Sequence, residues 1–290
     1  MELTSSRASD GGVDAKHVSI EEEGKAEAIA TVAEDPIGRP SRLSGMRSEL
    51  YLLDEYIADL LELKDTDIVV IADDSGSMNS ISDSTMSVGG PRTRWEELSQ
   101  TLQMLVAMLL VVRHPGFFLK FINDAEFFWI TTLEGLEAVF AAKPRARGKT
   151  PLLSNLKRVI DGHGERAETL LLILTDGEPS DCEFDELSGL IKSKPAEVFC
   201  SFAMCTDEGD VVDLYNKVVD PIPGCDITDD YSAECREAHR VGNDLTPFQW
   251  LAKMLLVRDS KYDMLDEVRL NKRGKPDGPD RGKACACLLS

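Results

Sequence analysis

The chain predicts an α/β fold: a doubly wound, mostly parallel central sheet with helices on both faces. Short apolar runs at 68–72 and 169–174 have the length and the β-branched or aliphatic content of strands buried on both faces. Segments with helical apolar spacing alternate with such runs, and strand–helix alternation builds a parallel sheet through right-handed crossovers. The first run stops abruptly in Asp73-Asp74-Ser75-Gly76-Ser77. That puts oxygen-bearing side chains at the carboxyl end of a strand, where open α/β sheets keep their sites.

Taken in order, residues 1–45 are rich in Ser, Glu, Ala and Gly and contain no Phe, Trp or Tyr. They cannot bury enough apolar area to offset ordering entropy and read as disordered. The folded domain is expected at 48–266. It opens with a helix over 48–63, with Leu50, Leu53, Ile57 and Leu60 or Leu61 on one side, and the strand at 68–72 follows. The polar stretch 79–92 reads as a surface loop on a binding rim. Thr93 with Glu96 three residues on has capping-box spacing, and the helix it opens runs to Val112, apolar nearly all round. Strands are expected at 117–123 and 126–131 around Asn123-Asp124-Ala125, then a helix at 132–142. Residues 143–149 form a basic loop, and Pro151 suits the first turn of a helix reaching 160. A strand at 168–174 delivers Thr175-Asp176-Gly177. A helix at 183–194, a strand at 197–205 and a helix at 208–219 complete the alternation. The acidic, Pro- and Gly-containing stretch 220–243 reads as a long solvated loop, and a helix at 246–257 closes the domain.

Asp73, Ser75 and Ser77 alternate, and Gly76 allows a tight turn between the hydroxyls. They offer hard oxygen without sulfur or imidazole, which suits Mg²⁺, Mn²⁺ or Ca²⁺ better than zinc. At these residues the chain resembles a von Willebrand factor type A (VWA) domain, whose metal-ion-dependent adhesion site reads D-x-S-x-S, then a distant Thr, then a distant Asp. Asp73, Ser75 and Ser77 are joined by Thr150 in Gly148-Lys149-Thr150-Pro151-Leu152 and by Asp176 in Leu174-Thr175-Asp176-Gly177. D-x-S-x-S alone is a weak signal; five elements in order, each beside an expected strand or helix, are a strong one. The resemblance implies an antiparallel edge hairpin from the strands at 117–123 and 126–131. It also implies that Ser75, Ser77 and Thr150 give hydroxyl ligands, while Asp73 and Asp176 bind directly or through water. The metal is then completed by the Glu or Asp of a protein partner. Lys149 departs from the small residue common before that Thr. Arg145, Arg147 and Lys149 would form a positive rim favouring acidic partners.

The protein has 290 residues, 42% hydrophobic and 29% charged, with a net charge of −20. Acidity on that scale argues against electrostatic binding to nucleic acid. No charge-free apolar run approaches the roughly 18–20 residues a membrane helix needs. The N-terminus lacks the basic start and apolar core of a signal peptide. Seven cysteines include no C-x-x-C pair, and an odd number argues against a closed disulfide set. Cys225 and Cys235 could pair under oxidising conditions, although reduced cytosolic thiols are expected.

The last residues, 267–290, carry a second signal. Cys287-Leu288-Leu289-Ser290 is a C-a-a-X pattern of the farnesylated kind. Arg269, Lys272, Arg273, Lys275, Arg281 and Lys283 precede it, and Cys285 offers a second acceptor, for palmitate. This tail resembles the lipidated ends of small Ras-type GTPases. One lipid anchors only marginally, so a second lipid or a basic stretch is needed. The expectation is a cytoplasmic protein held at the inner face of a membrane.

Catalysis is the rival class, with a magnesium-dependent phosphatase or hydrolase as its form. Phosphatases of the haloacid dehalogenase type need D-x-D, whereas here Asp73-Asp74-Ser75 misplaces the second acid. Ser75 and Ser77 lack a G-x-S-x-G elbow, and His17, His114, His163 and His239 form no readable triad. Gly148-Lys149-Thr150 fails as a phosphate loop because position 143 is Lys. The chain therefore reads as a non-enzymatic binding module, or as a scaffold whose metal site is silent.

Overall fold

The computed structural model describes residues 54–82, 92–163, 168–206, 208–258 and 262. The N-terminal segment 1–45, the start of the first expected helix, most of the 79–92 loop, and the basic tail with Cys285 and Cys287 lie outside the described residues. Among the described residues, no helix is long and apolar enough to cross a membrane.

Helix α1 (Asp54–Leu61) leads through a 3-10 turn into β1 (Asp67–Ala72). A second 3-10 turn, Gly76–Asn79, carries the D-x-S-x-S loop, and α2 (Arg94–Val111) follows. Next come β2 (Phe117–Phe121), β3 (Phe128–Ile130), α3 (Leu133–Ala142), α4 (Leu152–Asp161) and β4 (Thr169–Thr175). The chain continues with α5 (Phe184–Lys192), β5 (Val198–Met204), α6 (Gly209–Val218), β6 (Cys225–Thr228), α7 (Tyr231–Val241) and α8 (Pro247–Leu255).

Among the described residues six strands form one sheet in the order β3-β2-β1-β4-β5-β6. Among the described strands of this sheet only the β2–β3 pair is antiparallel, with Phe118 opposite Trp129, as the expected edge hairpin requires. From β1 the chain winds outward to β2 and β3, then returns to β4 and winds the other way. The order thus reverses between β1 and β4, and the carboxyl ends of these two strands frame the crevice.

Two-residue periodicity in β1 divides the core. Ile68, Val70 and Ala72 face the cluster built with α1, α2, α3 and α8; Val69 and Ile71 face the one built with α4, α5 and α6. A strand covered on both faces explains why β1 and β4 read as unbroken apolar runs. The Thr93–Glu96 capping box forms as expected. His114, just past α2, is buried; its Nδ1 accepts from the Gly116 N–H, so Nε2–H donates to the Thr66 carbonyl at 3.0 Å.

The stretch 220–243 departs from the expected loop, since it holds β6 and α7. Strand β6 pairs parallel with β5. Asp230, read from sequence as part of an acidic surface, caps α7 by accepting from the Ser232 and Ala233 amides. Gly242 ends that helix in the left-handed region at φ 86°, a conformation glycine adopts without steric cost.

Candidate metal centre

β1 and β4 run side by side with Ala72 opposite Leu174, so Asp73 and Asp176 emerge at the same end of the sheet. The Asp73 amide donates to the Leu174 carbonyl at 2.8 Å and extends the ladder by one rung. Asp73 is wholly buried. One carboxylate oxygen accepts from the Ser75 amide and the other from the Thr175 hydroxyl, both at 2.7 Å. Burial pushes its carboxyl up to about 6, although the hydrogen bonds from Thr175 and Ser75 act in the other direction.

A continuous chain of contacts links the hydroxyls to the second carboxylate. Ser75 Oγ lies 2.9 Å from Ser77 Oγ. Ser77 Oγ donates to Asp176 Oδ1 at 2.8 Å. Residues 99 positions apart are thus in direct contact.

Thr150 arrives by a different route. The loop between α3 and α4 is sewn to the β1 loop by backbone bonds: Gly76 N–H to Gly148 C=O, and Arg147 N–H to Asp74 C=O. Asn79 Nδ2 adds a bond to the Ala146 carbonyl at 2.8 Å. Gly148 sits at φ 109°, and a β-carbon there would lie 2.5 Å from the Asn123 side chain, so that tight approach requires glycine. Thr150 is buried, and a β-carbon added at Gly177 would lie 3.9 Å from its Oγ1. Its hydroxyl is therefore beside the residue that follows Asp176. All five sequence-predicted ligands converge at one end of the β1–β4 seam.

Three residues unmarked by the motif complete the surroundings. Thr175 holds Asp73, as described. Asn123 donates to Asp74 from both its backbone and its side chain, and bridges to the Lys149 carbonyl. Arg94 is the third: Nη1 pairs with Asp176 Oδ2 and Nη2 with Glu208 Oε1, each at 2.9 Å. It occupies the first position of α2, where the helix dipole disfavours a cation. A positive charge in that place marks a tertiary partner, and this is the signal by which the sequence could have disclosed it.

Asp74 turns away from this group. Lys143 pairs with it and with Asp124, the latter at 3.0 Å. Of the four cations in the loop, Lys143 is thereby engaged in holding the loop, while Arg145, Arg147 and Lys149 are exposed.

Chemically, the site offers two carboxylates and three hydroxyls, all hard oxygen. Among the described residues no group of three or more His, Cys, Asp or Glu side chains is placed to hold a metal, so this hydroxyl-rich set is distinct from a zinc-type cluster. The donors fit a small hard divalent cation. Arg94 already offsets the charge of Asp176, which would act against high affinity for such an ion.

Neither a family model nor a curated protein sequence matches this chain. Among solved structures it is similar to a von Willebrand factor type A protein from Catenulispora acidiphila, at 12% identity and a TM-score of 0.36. The match covers 68% of this chain and 43% of that one, so this chain spans less than half of that structure's length. A likeness this distant adds nothing to the site, and the fold class rests on the strand order itself.

Proposed function

We propose that this chain is a VWA-type protein-binding module. Asp73, Ser75, Ser77, Thr150 and Asp176 would hold Mg²⁺, or Mn²⁺ or Ca²⁺ in its place, and a partner's Glu or Asp would complete the shell. The observation that carries the reading is the Ser75–Ser77–Asp176 contact chain at the strand-order reversal, with Asp73 and Thr150 alongside. Few anionic ligands leave positive charge on such an ion, which is what it supplies to an incoming carboxylate. The chain's own residues orient the donors: Thr175 and the Ser75 amide fix Asp73, and the sewn loop fixes Thr150. Asp74 has one oxygen engaged by Asn123 and the other by Lys143. That favours binding over phosphoryl transfer, which would need a second available acid. Arg145, Arg147 and Lys149 form the rim that draws an acidic partner.

The test is partner capture with and without EDTA. Thr150→Ala and Asp73→Ala should each abolish the divalent-dependent fraction while the circular dichroism stays native. Capture that is equal in excess chelator would refute the metal role.

The proposal extends to membrane anchoring through Cys287, with Cys285 and the basic stretch as the second signal. A prenyl transferase modifies C-a-a-X only as a free C-terminus. In cells, a labelled isoprenoid should enter the wild type and not Cys287→Ser, and the variant should leave the membrane fraction. Wild-type protein that takes up no label would remove this part of the proposal and leave the metal site untouched.

A further inference from the structure

Among the described residues Cys182, Cys200, Cys205, Cys225 and Cys235 are free thiols. Cys225 opens β6 and is the register partner of Cys200 on β5. Adjacent strands run about 4.8 Å apart, within the roughly 4.4–6.8 Å Cα separation a disulfide spans. Both side chains project to the same face, Cys200 inside the cluster under α4–α6 and Cys225 packed against it from the edge. Cys235 belongs elsewhere: its thiol is directed to the Leu245 carbonyl at 3.6 Å, and Leu245 packs on the opposite cluster.

The two neighbouring sulfurs are not equivalent. Cys200 is completely buried, and Cys225 is partly exposed. Its place on the edge strand β6 leaves it open to small reagents. Lys194 Nζ is held 3.1 Å from the Pro223 carbonyl, two residues away. The Cys200 S–H contact, with Lys194 assisting and burial opposing, lowers the Cys225 thiol below its ordinary range. The same contact, together with burial, pushes Cys200 up and keeps it protonated. A thiolate is the nucleophile in thiol chemistry.

We infer that Cys200 and Cys225 form a thiol–disulfide site in which Cys225 attacks a hydroperoxide and Cys200 resolves the product into a cross-strand disulfide. The Cys225 thiolate takes the terminal oxygen of hydrogen peroxide, the O–O bond breaks, and hydroxide leaves and is protonated to water. Cys225 is then a sulfenic acid. Cys200 sulfur attacks the Cys225 sulfur, the S–O bond breaks, and the departing oxygen leaves as a second water with the Cys200 proton. Two thiols have lost two electrons and peroxide has gained them. The new bond staples the four-residue edge strand β6 to β5.

The test is peptide mass mapping of the full chain, fully reduced, exposed to hydrogen peroxide and then alkylated. A Cys200–Cys225 linked peptide, two hydrogens lighter than its parts and cleaved by dithiothreitol, is the expected result. In Cys200→Ser, Cys225 should instead accumulate as a sulfenic acid trapped by dimedone. The inference is overturned if Cys200 remains alkylatable after Cys225 has been oxidised, or if Cys225 links to Cys182 or Cys235. It is equally overturned if neither cysteine reacts at peroxide levels that oxidise another cysteine of the chain.

Discussion

At the scale of single residues, Arg94 would set how strongly the proposed centre holds a cation. Its guanidinium lies 2.9 Å from Asp176 Oδ2 in a pair whose side chains are 10% and 0% exposed. A unit charge about 6 Å from a divalent ion is unfavourable by several kcal/mol at an effective dielectric of about 20, with much of that offset by Glu208. Arg94→Gln should therefore bind Mn²⁺ roughly tenfold or more tightly, a change of about 1.4 kcal/mol per decade. Without divalent ion the same variant should be less stable, because an uncompensated buried carboxylate is costly. Calorimetric titration and urea unfolding measure the two effects. An unchanged affinity would mean that Arg94 is a structural strut with no bearing on the metal. None of this was visible in the D-x-S-x-S pattern, because Arg94 and Thr175 act on the ligands rather than belong to the set. The five residues that come together here were legible, since each is a chemically distinctive residue next to a strand or helix end.

At the scale of elements, the least legible part of the chain is the one with buried polar groups. Strand β6 reads Cys225-Asp226-Ile227-Thr228, and Asp226 and Thr228 are both buried, with Thr228 Oγ1 donating to Asp226 at 3.1 Å. Four residues, two of them polar, carry no strand period that a reader could separate from a loop. Helix α7 was hidden for a related reason: its cap, Asp230, looked like one more acid in an acidic run. The α7–α8 contact is secured by a buried ion pair, Lys253 Nζ to Glu234 at 3.3 Å, with both side chains 4% exposed. Tyr231 and Trp250 pack alongside it with ring centroids 5.9 Å apart. Lys253→Met leaves Glu234 buried without this partner and should cost about 3–5 kcal/mol in urea unfolding. A loss under about 1 kcal/mol would show that water or a neighbouring group takes over the charge. The long, apolar or strictly capped elements (β1, β4, α2 and α8) could be read from sequence because period, length and cap agree in them.

At the scale of the whole molecule, the sheet explains why residues so far apart in sequence belong to one centre. Reversal of strand order between β1 and β4 leaves a crevice at their carboxyl ends. The loop before α4 closes over it through Gly148. That architecture follows from alternation of strands and helices and is legible in the sequence; the placement of the α3–α4 loop depends on backbone bonds that no residue pattern announces. A ligand that binds only the folded chain stabilises it by about 2.7 kcal/mol at a hundred times its Kd. For a domain of about 200 residues this is a rise in Tm of roughly 5–10 °C. The most direct test of the central claim is therefore Mn²⁺ titration, read by calorimetry and by thermal unfolding, on wild type and Thr150→Ala. The account predicts one ion per chain, a Tm that climbs with Mn²⁺, and at least a tenfold weaker site in the variant. Absence of binding at millimolar Mn²⁺, or binding that Thr150→Ala leaves intact, would contradict it.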